Sequence, residues 1–213
     1  VSAVVAPAAG EAKPAHPTRR RVLTAALFIV WLAGAVIYSG TTMVTHLVTL
    51  PQPQVDDARL LQSLVTMRED DERGRWMAVH LFYAECRCSR RILDHIVETE
   101  RRPDFVEKIV LVGDMPEIVA KARARGIAVE VIDAKTLERR FHVDAVPLMA
   151  VVTPDDRIAY LGGYTERKQG PDIQDLAIMD RLVAGAAAPG ALPLFGCVTS
   201  QELREILDPF SLL

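Results

Sequence analysis

The stretch LFYAECRCSRRILDHI, residues 81–96, sets Cys86 and Cys88 one residue apart between an apolar run and a basic, helix-like run. Three readings suit such a pair. As a redox couple, the cysteines would use the thiolate form, which a helix N-terminus and nearby cations favour. Arg87, Arg90 and Arg91 flank the start of the expected helix. As a metal clip outside the cytoplasm, two close thiolates suit soft Cu(I), with His80, His95 or His142 as a third ligand. Of these, His142 is the one that lies near Pro147 in the sequence. Cys-x-Cys alone lacks the second half of a zinc site. In the third reading the pair is vestigial and the domain is a scaffold. Cys197, in LFGCVTSQELREILD, completes the inventory of three cysteines. It is either a small buried hydrophobe or a further ligand or disulfide partner reached by a tail that folds back. Three cysteines leave an odd one unless one stays free.

These residues need a frame to position them. The chain has 213 residues, half of them hydrophobic, and a net charge of −3, which argues against a nucleic-acid partner. The charge is uneven. Lys13, Arg19, Arg20 and Arg21 stand against Glu11 in the first 50 residues, and the remainder is acidic. No Asp, Glu, Lys or Arg occurs from Val22 to Val55. An apolar run of that length is enough to cross a bilayer as a helix. Residues 22–50 are therefore read as a transmembrane helix and its extension, ended by Pro51 and Pro53. A cleaved signal peptide is the alternative. Arginines on the N-terminal flank imply a cytoplasmic N-terminus and a periplasmic body.

The Ala/Pro-rich tail, 1–21, has no apolar face of its own. It is expected to be held by a partner, and Ala25, Ala26, Ala33, Gly34 and Ala35 would let another helix approach closely. A linker and helix fill 51–75, with the helix at 56–72. The globular domain spans 76–185, and 186–213 is a C-terminal tail with a short helix at 200–207 capped by Thr199 and Glu202.

Within the domain, apolar periodicity predicts strands at 76–83, 107–113 and 127–132 and a hairpin of 147–154 and 157–164 turned by Pro154-Asp155-Asp156. Helices fall at 88–102, 115–126, 134–143 and 171–185, the last with Asp172 as N-cap. The segments 68–75 and 98–105 read as solvated helix ends, His95 as solvent-facing and His80 as a core or edge histidine. The alternation implies an α/β fold, a mixed sheet flanked by helices on both faces.

Three pieces of the chain resemble the thioredoxin superfamily: FYAECRC (82–88), VDAVPLMAVV (143–152) and PDDRIAYLGGY (154–164). The first is similar to the strand end that leads into that family's cysteine motif. The second resembles its cis-proline segment, and the third its following hairpin. Together with the N-terminal apolar run, the pattern resembles membrane-anchored bacterial thioredoxin-like proteins and, more loosely, those labelled RedB-like. The resemblance implies a cis bond at Val146–Pro147, with Val146 presenting its backbone to a substrate cysteine, and Cys86 and Cys88 as the reactive pair. The family separates its two cysteines by two residues, whereas this chain separates them by one. An ungapped match puts Arg87 at the attacking position, and a one-residue gap restores Cys86. The expected role is a thiol-redox or assembly factor at a larger membrane complex in the bacterial inner membrane. The alternatives are a non-catalytic accessory subunit of a photosynthetic or respiratory electron-transfer complex, or copper delivery.

Overall fold

The computed structural model describes residues 17–47, 49–186 and 190–207, in two compact units, 1–47 and 48–213. Most of the N-terminal tail, where a partner contact is expected, lies outside the described residues. The described residues of the first unit form one helix, α1 (Pro17–Leu47). Its segment Arg19–Gly40 is long and apolar enough to cross a membrane, and its large apolar side chains, Trp31 and Ile37 among them, are exposed.

The second unit is built on a five-stranded mixed sheet in the order β3-β2-β1-β5-β6. β1 (Trp76–Tyr83), β2 (Phe105–Val112) and β3 (Ala128–Ile132) run parallel. β5 (Leu148–Val152) returns antiparallel beside β1, and β6 (Ile158–Gly162) pairs antiparallel with β5. The β5–β6 turn forms as expected. Thr153 N–H donates to Arg157 O at 2.8 Å, and Asp156 takes a positive φ of 58°. A separate two-residue strand, β4 (Ala145–Val146), precedes Pro147 and pairs with β7 (Cys197–Val198).

Side-chain alternation along the strands sorts the core into two clusters. Ala78 and Phe82 of β1 pack with Ile92, Leu93 and Ile96 of α3 (Arg87–Glu98). Ile118 of α4 (Pro116–Ala124) and Ile178 and Met179 of α6 (Asp175–Val183) complete that cluster. Met77, Val79 and Leu81 of β1 belong to the other, with Leu60 and Leu64 of α2 (Ala58–Val65) and Leu137 and Phe141 of α5 (Ala134–Phe141). Leu194 of the tail is fully buried in this second cluster. Burying a leucine side chain contributes about 1.5–3 kcal/mol, so the tail is bound into the core rather than appended to it.

Several element ends differ from expectation, each for a local reason. α2 stops at Val65 instead of reaching residue 72. Arg68 turns inward to donate to Thr153 O at 3.1 Å, and Asp70–Glu72 form a separate 3-10 turn. α3 stops at Glu98, which releases Arg101 for buried ion pairs. α6 begins at Asp175 with Gln174 before it, because the Asp175 carboxylate is engaged by Arg101 and His95. The last helix, α7 (Gln201–Leu207), is capped by Ser200, whose Oγ accepts from Leu203 N–H at 3.3 Å. Thr199 instead points its hydroxyl at Val143 O.

Candidate functional site

β1 ends at Tyr83, and Cys86 N–H donates back to Tyr83 O at 3.0 Å, which turns the chain into α3. Cys86 is the N-cap of α3, and its carbonyl accepts from Arg90 N–H at 3.0 Å. The corner is fastened by side chains. Ser89 Oγ accepts from Tyr83 N–H at 3.2 Å, and Arg90 Nε donates to Ala84 O at 2.5 Å. Cys86 is fully buried.

Its sulfur is bonded to Cys197, 111 residues away, with the two Cα atoms 5.8 Å apart. Cys88, one residue into the helix from Arg87, is a half-buried free thiol. Of the sequence alternatives, the structure joins Cys86 to the returning tail and not to Cys88. A cavity of about 390 Å³ opens beside Cys88, lined also by Arg87, Arg91, Thr165, Gln169 and Phe195. Arg91 is not loose in it, since it donates to Gly170 O at 2.5 Å and Pro171 O at 3.1 Å.

The Val146–Pro147 bond is cis, as the resemblance implied. Val146 is paired with Cys197 and Ala145 with Val198, antiparallel. The tail is fixed on both sides of this contact. Upstream, Gly163 N–H donates to Leu192 O and Leu50 N–H donates to Leu194 O, both at 2.9 Å. Downstream, Thr199 N–H donates to Asp144 O at 2.7 Å. Leu194, Thr199 and Ser200 are buried, and residues 195–198 between them are half-exposed. Two glycines make the approach feasible. A Cβ at Gly163 would collide with Pro193 O. One at Gly196 would collide with Val146 O and lie 2.5 Å from Pro147 Cδ.

The three histidines considered as third ligands are committed elsewhere. His142 caps α5 and sits 3.0 Å from Asp57 Oδ2, with Arg59 3.4 Å from its other ring nitrogen. Asp57 is itself the N-cap of α2; burial raises its pKa, but bonds from Leu60 and Arg59 and the neighbouring His142 outweigh this and hold it below the usual carboxylate value. Among the described residues no group of three or more His, Cys, Asp or Glu side chains is placed to hold a metal ion.

His80 and His95 belong to a buried polar chain that the linear sequence does not reveal. Tyr164 Oη lies 2.8 Å from His80 Nδ1, and His80 Nε2 lies 3.1 Å from Glu107. Arg101 is 2.8 Å from both Glu107 Oε2 and Asp175 Oδ2, and Asp175 Oδ1 is 3.1 Å from His95. His80, Glu107, Asp175 and Tyr164 are buried. The sequence pattern puts Arg101 and His95 on solvated surfaces. The correction is that each completes a pair with an interior carboxylate, as a buried charge requires. Burial raises the Glu107 carboxyl, but His80 and Arg101 outweigh it and hold the group below its ordinary value. Burial, reinforced by the Asp175 charge, pushes the Tyr164 phenol well up, so it stays protonated. Tyr164 Oη also donates to Leu148 O at 3.4 Å, one residue past Pro147.

No protein-family model and no curated protein matches the chain. Among solved structures, a hypothetical protein of Sinorhizobium meliloti is 16% identical, over 60% of this chain and 80% of that one, with a TM-score of 0.49. MTB DsbF is 18% identical over 54% and 84%, with a TM-score of 0.40. A putative thioredoxin of Neisseria meningitidis is 14% identical over 64% and 85%, with a TM-score of 0.39. The chain itself has the strand order β3-β2-β1-β5-β6, a cysteine at the N-cap position of the helix after β1, and a cis-proline immediately before β5. With these features in place, the globular unit has a thioredoxin-like fold preceded by one helix long and apolar enough to span a membrane.

Proposed function

We propose that the globular unit exchanges thiols and disulfides through the couple Cys86/Cys197, held on the periplasmic side of a bacterial inner membrane by α1, at or beside a larger membrane complex. The observation that carries this reading is the bond itself. It joins the N-cap cysteine of α3 to a cysteine held opposite Val146, beside the cis-proline. A helix start is where a leaving thiolate is best stabilised. Cys88 is then a third thiol outside the couple. The test is a redox titration of the full chain in detergent, read by alkylation and mass spectrometry. One reversible two-electron couple is expected, lost in Cys86→Ser and in Cys197→Ser and kept in Cys88→Ser. A bond that survives excess dithiothreitol under native conditions overturns the proposal.

One observation favours a second reading. Cys86 is fully buried, which suits a structural staple in an accessory subunit of an electron-transfer complex. Such a subunit would co-purify stoichiometrically with its complex in mild detergent and function unchanged with the bond removed.

A further inference from the structure

The geometry points to the C-terminal segment 194–200 as a resident stand-in for a polypeptide substrate. We infer from it that the substrate segment is an extended strand with glycine immediately before its reactive cysteine. This rests on the exchange reading above and specifies its partner.

The edge of β4 offers only Ala145 and Val146 for pairing, and β7 occupies both. The tail therefore lies as an added strand, with main-chain pairing for affinity and side-chain positions for selection. Its cysteine reaches Cys86, which is buried beneath it, while 195–198 remain half-exposed. Anything that exchanges with Cys86 must take the edge that 195–198 now hold. The buried anchors, Leu194 on one side and Thr199 and Ser200 on the other, keep the displaced strand close enough to return.

The residue before the cysteine faces the tightest point. A Cβ built at Gly196 overlaps Val146 O and lies 2.6 Å from Val146 C and 2.5 Å from Pro147 Cδ. Two of these are backbone atoms and the third belongs to a proline ring, so none is the end of a flexible side chain that could swing aside. A competing strand in the same register meets the same wall.

The exchange balances as follows. The substrate thiolate attacks Cys86 Sγ, forming a substrate–Cys86 bond and breaking Cys86–Cys197, and the electron pair leaves on Cys197 Sγ, which takes a proton from water. A second substrate thiolate then attacks the substrate sulfur and releases Cys86 as thiolate. The substrate dithiol is oxidised to a disulfide, and the protein's disulfide is reduced to two thiols.

The test uses the full-length chain with Cys88→Ser and Cys197→Ser, leaving Cys86 as its one thiol. Two peptides activated as thiopyridyl disulfides are compared, Leu-Phe-Gly-Cys-Val-Thr and the same peptide with leucine in place of glycine. Release of thiopyridone reports attack by Cys86. The glycine peptide is expected to react at least about tenfold faster, since overpacking a filled site is costly. Equal rates overturn the inference. Dithiodipyridine serves as the small-molecule control. If it reacts and the peptides do not discriminate, the substrate inference fails and the exchange function stands; if it does not react, both fail. Should the double variant not fold, Gly196→Ala in the reduced native chain gives an independent reading. There the crowded tail is expected to leave β4 more often, so Cys86 is alkylated roughly tenfold faster than in the unaltered chain. An unchanged or slower rate overturns the inference.

Discussion

The two faces of the central sheet solve burial in opposite ways. On the face covered by α3, α4 and α6, the apolar cluster surrounds an ionic chain running from Tyr164 through His80, Glu107, Arg101 and Asp175 to His95. On the face covered by α2, α5 and the tail, contact is overwhelmingly aliphatic and aromatic. Lys108, a buried cation on this face, pairs with Glu72 at 2.7 Å. Adjacent residues of one strand serve both, since His80 points into the first cluster and Leu81 into the second. The difference teaches that buried charge and buried hydrocarbon fail differently. A buried ion pair adds little net stability over a hydrophobic replacement, yet removing one partner leaves the other uncompensated in the interior. A hydrophobic contact loses only what is cut away, plus the cavity left behind.

The strongest way to break the comparison is Arg101→Met. It strands Glu107 and Asp175 together without a permanent positive charge, so a loss of about 3–5 kcal/mol is expected, read as a lower urea midpoint at neutral pH. If the midpoint is unchanged, the ionic chain is not what holds that face. Leu194→Ala tests the other face. The residue is fully buried, but it lies in a tail able to settle into the gap, so the cost should fall near the lower end of the ~2–5 kcal/mol range for such truncations. Little or no loss would mean that the tail rests on the core without contributing to it.

The third test sharpens the contrast through acidity. Glu107 has a folded pKa below its ordinary 4.5. A depressed carboxyl contributes stability that is present above the unfolded value and lost as pH falls through the folded one. Unfolding midpoints should therefore decline from about pH 4.5 downward, and Glu107→Gln should flatten that decline while lowering stability at neutral pH. An acid limb identical in the two proteins would remove Glu107 from the account.

Much of the frame was legible in the sequence because period-2 and period-3.6 patterns are local. Residues 76–83 read as a strand and form one over the same residues, and the Pro154-Asp155-Asp156 turn sits where its residue types place it. The resemblance carried the cis-proline. The ionic chain left no such trace. Its partners are separated by up to 84 residues, as in His80 and Tyr164, and each alone reads as a strand residue, a solvated charge or part of a helix start. Arg101 inside ETERRPDF is indistinguishable from its solvated neighbour until β2 brings Glu107 beneath it. Cys197 was legible as a candidate partner. What decided between the open alternatives was Gly196, whose missing side chain lets the tail reach the proline, and close approach is not written in spacing.

The Cys86–Cys197 link also has a mechanical consequence. The ring it closes spans 111 residues and includes β2, β3, β4, β5 and β6, leaving only β1 and the α2 region between it and the helix at the N-terminal end. Tension applied between that helix and the far end of the tail would pass along β1 and cross directly through the sulfurs. At ~3.3–3.6 Å of contour per residue, roughly 370–400 Å of chain is withheld from extension while the link is closed. Reduction would release that length to a pulling force, so the same chemical event that resets the thiols would turn a short tether into a long one.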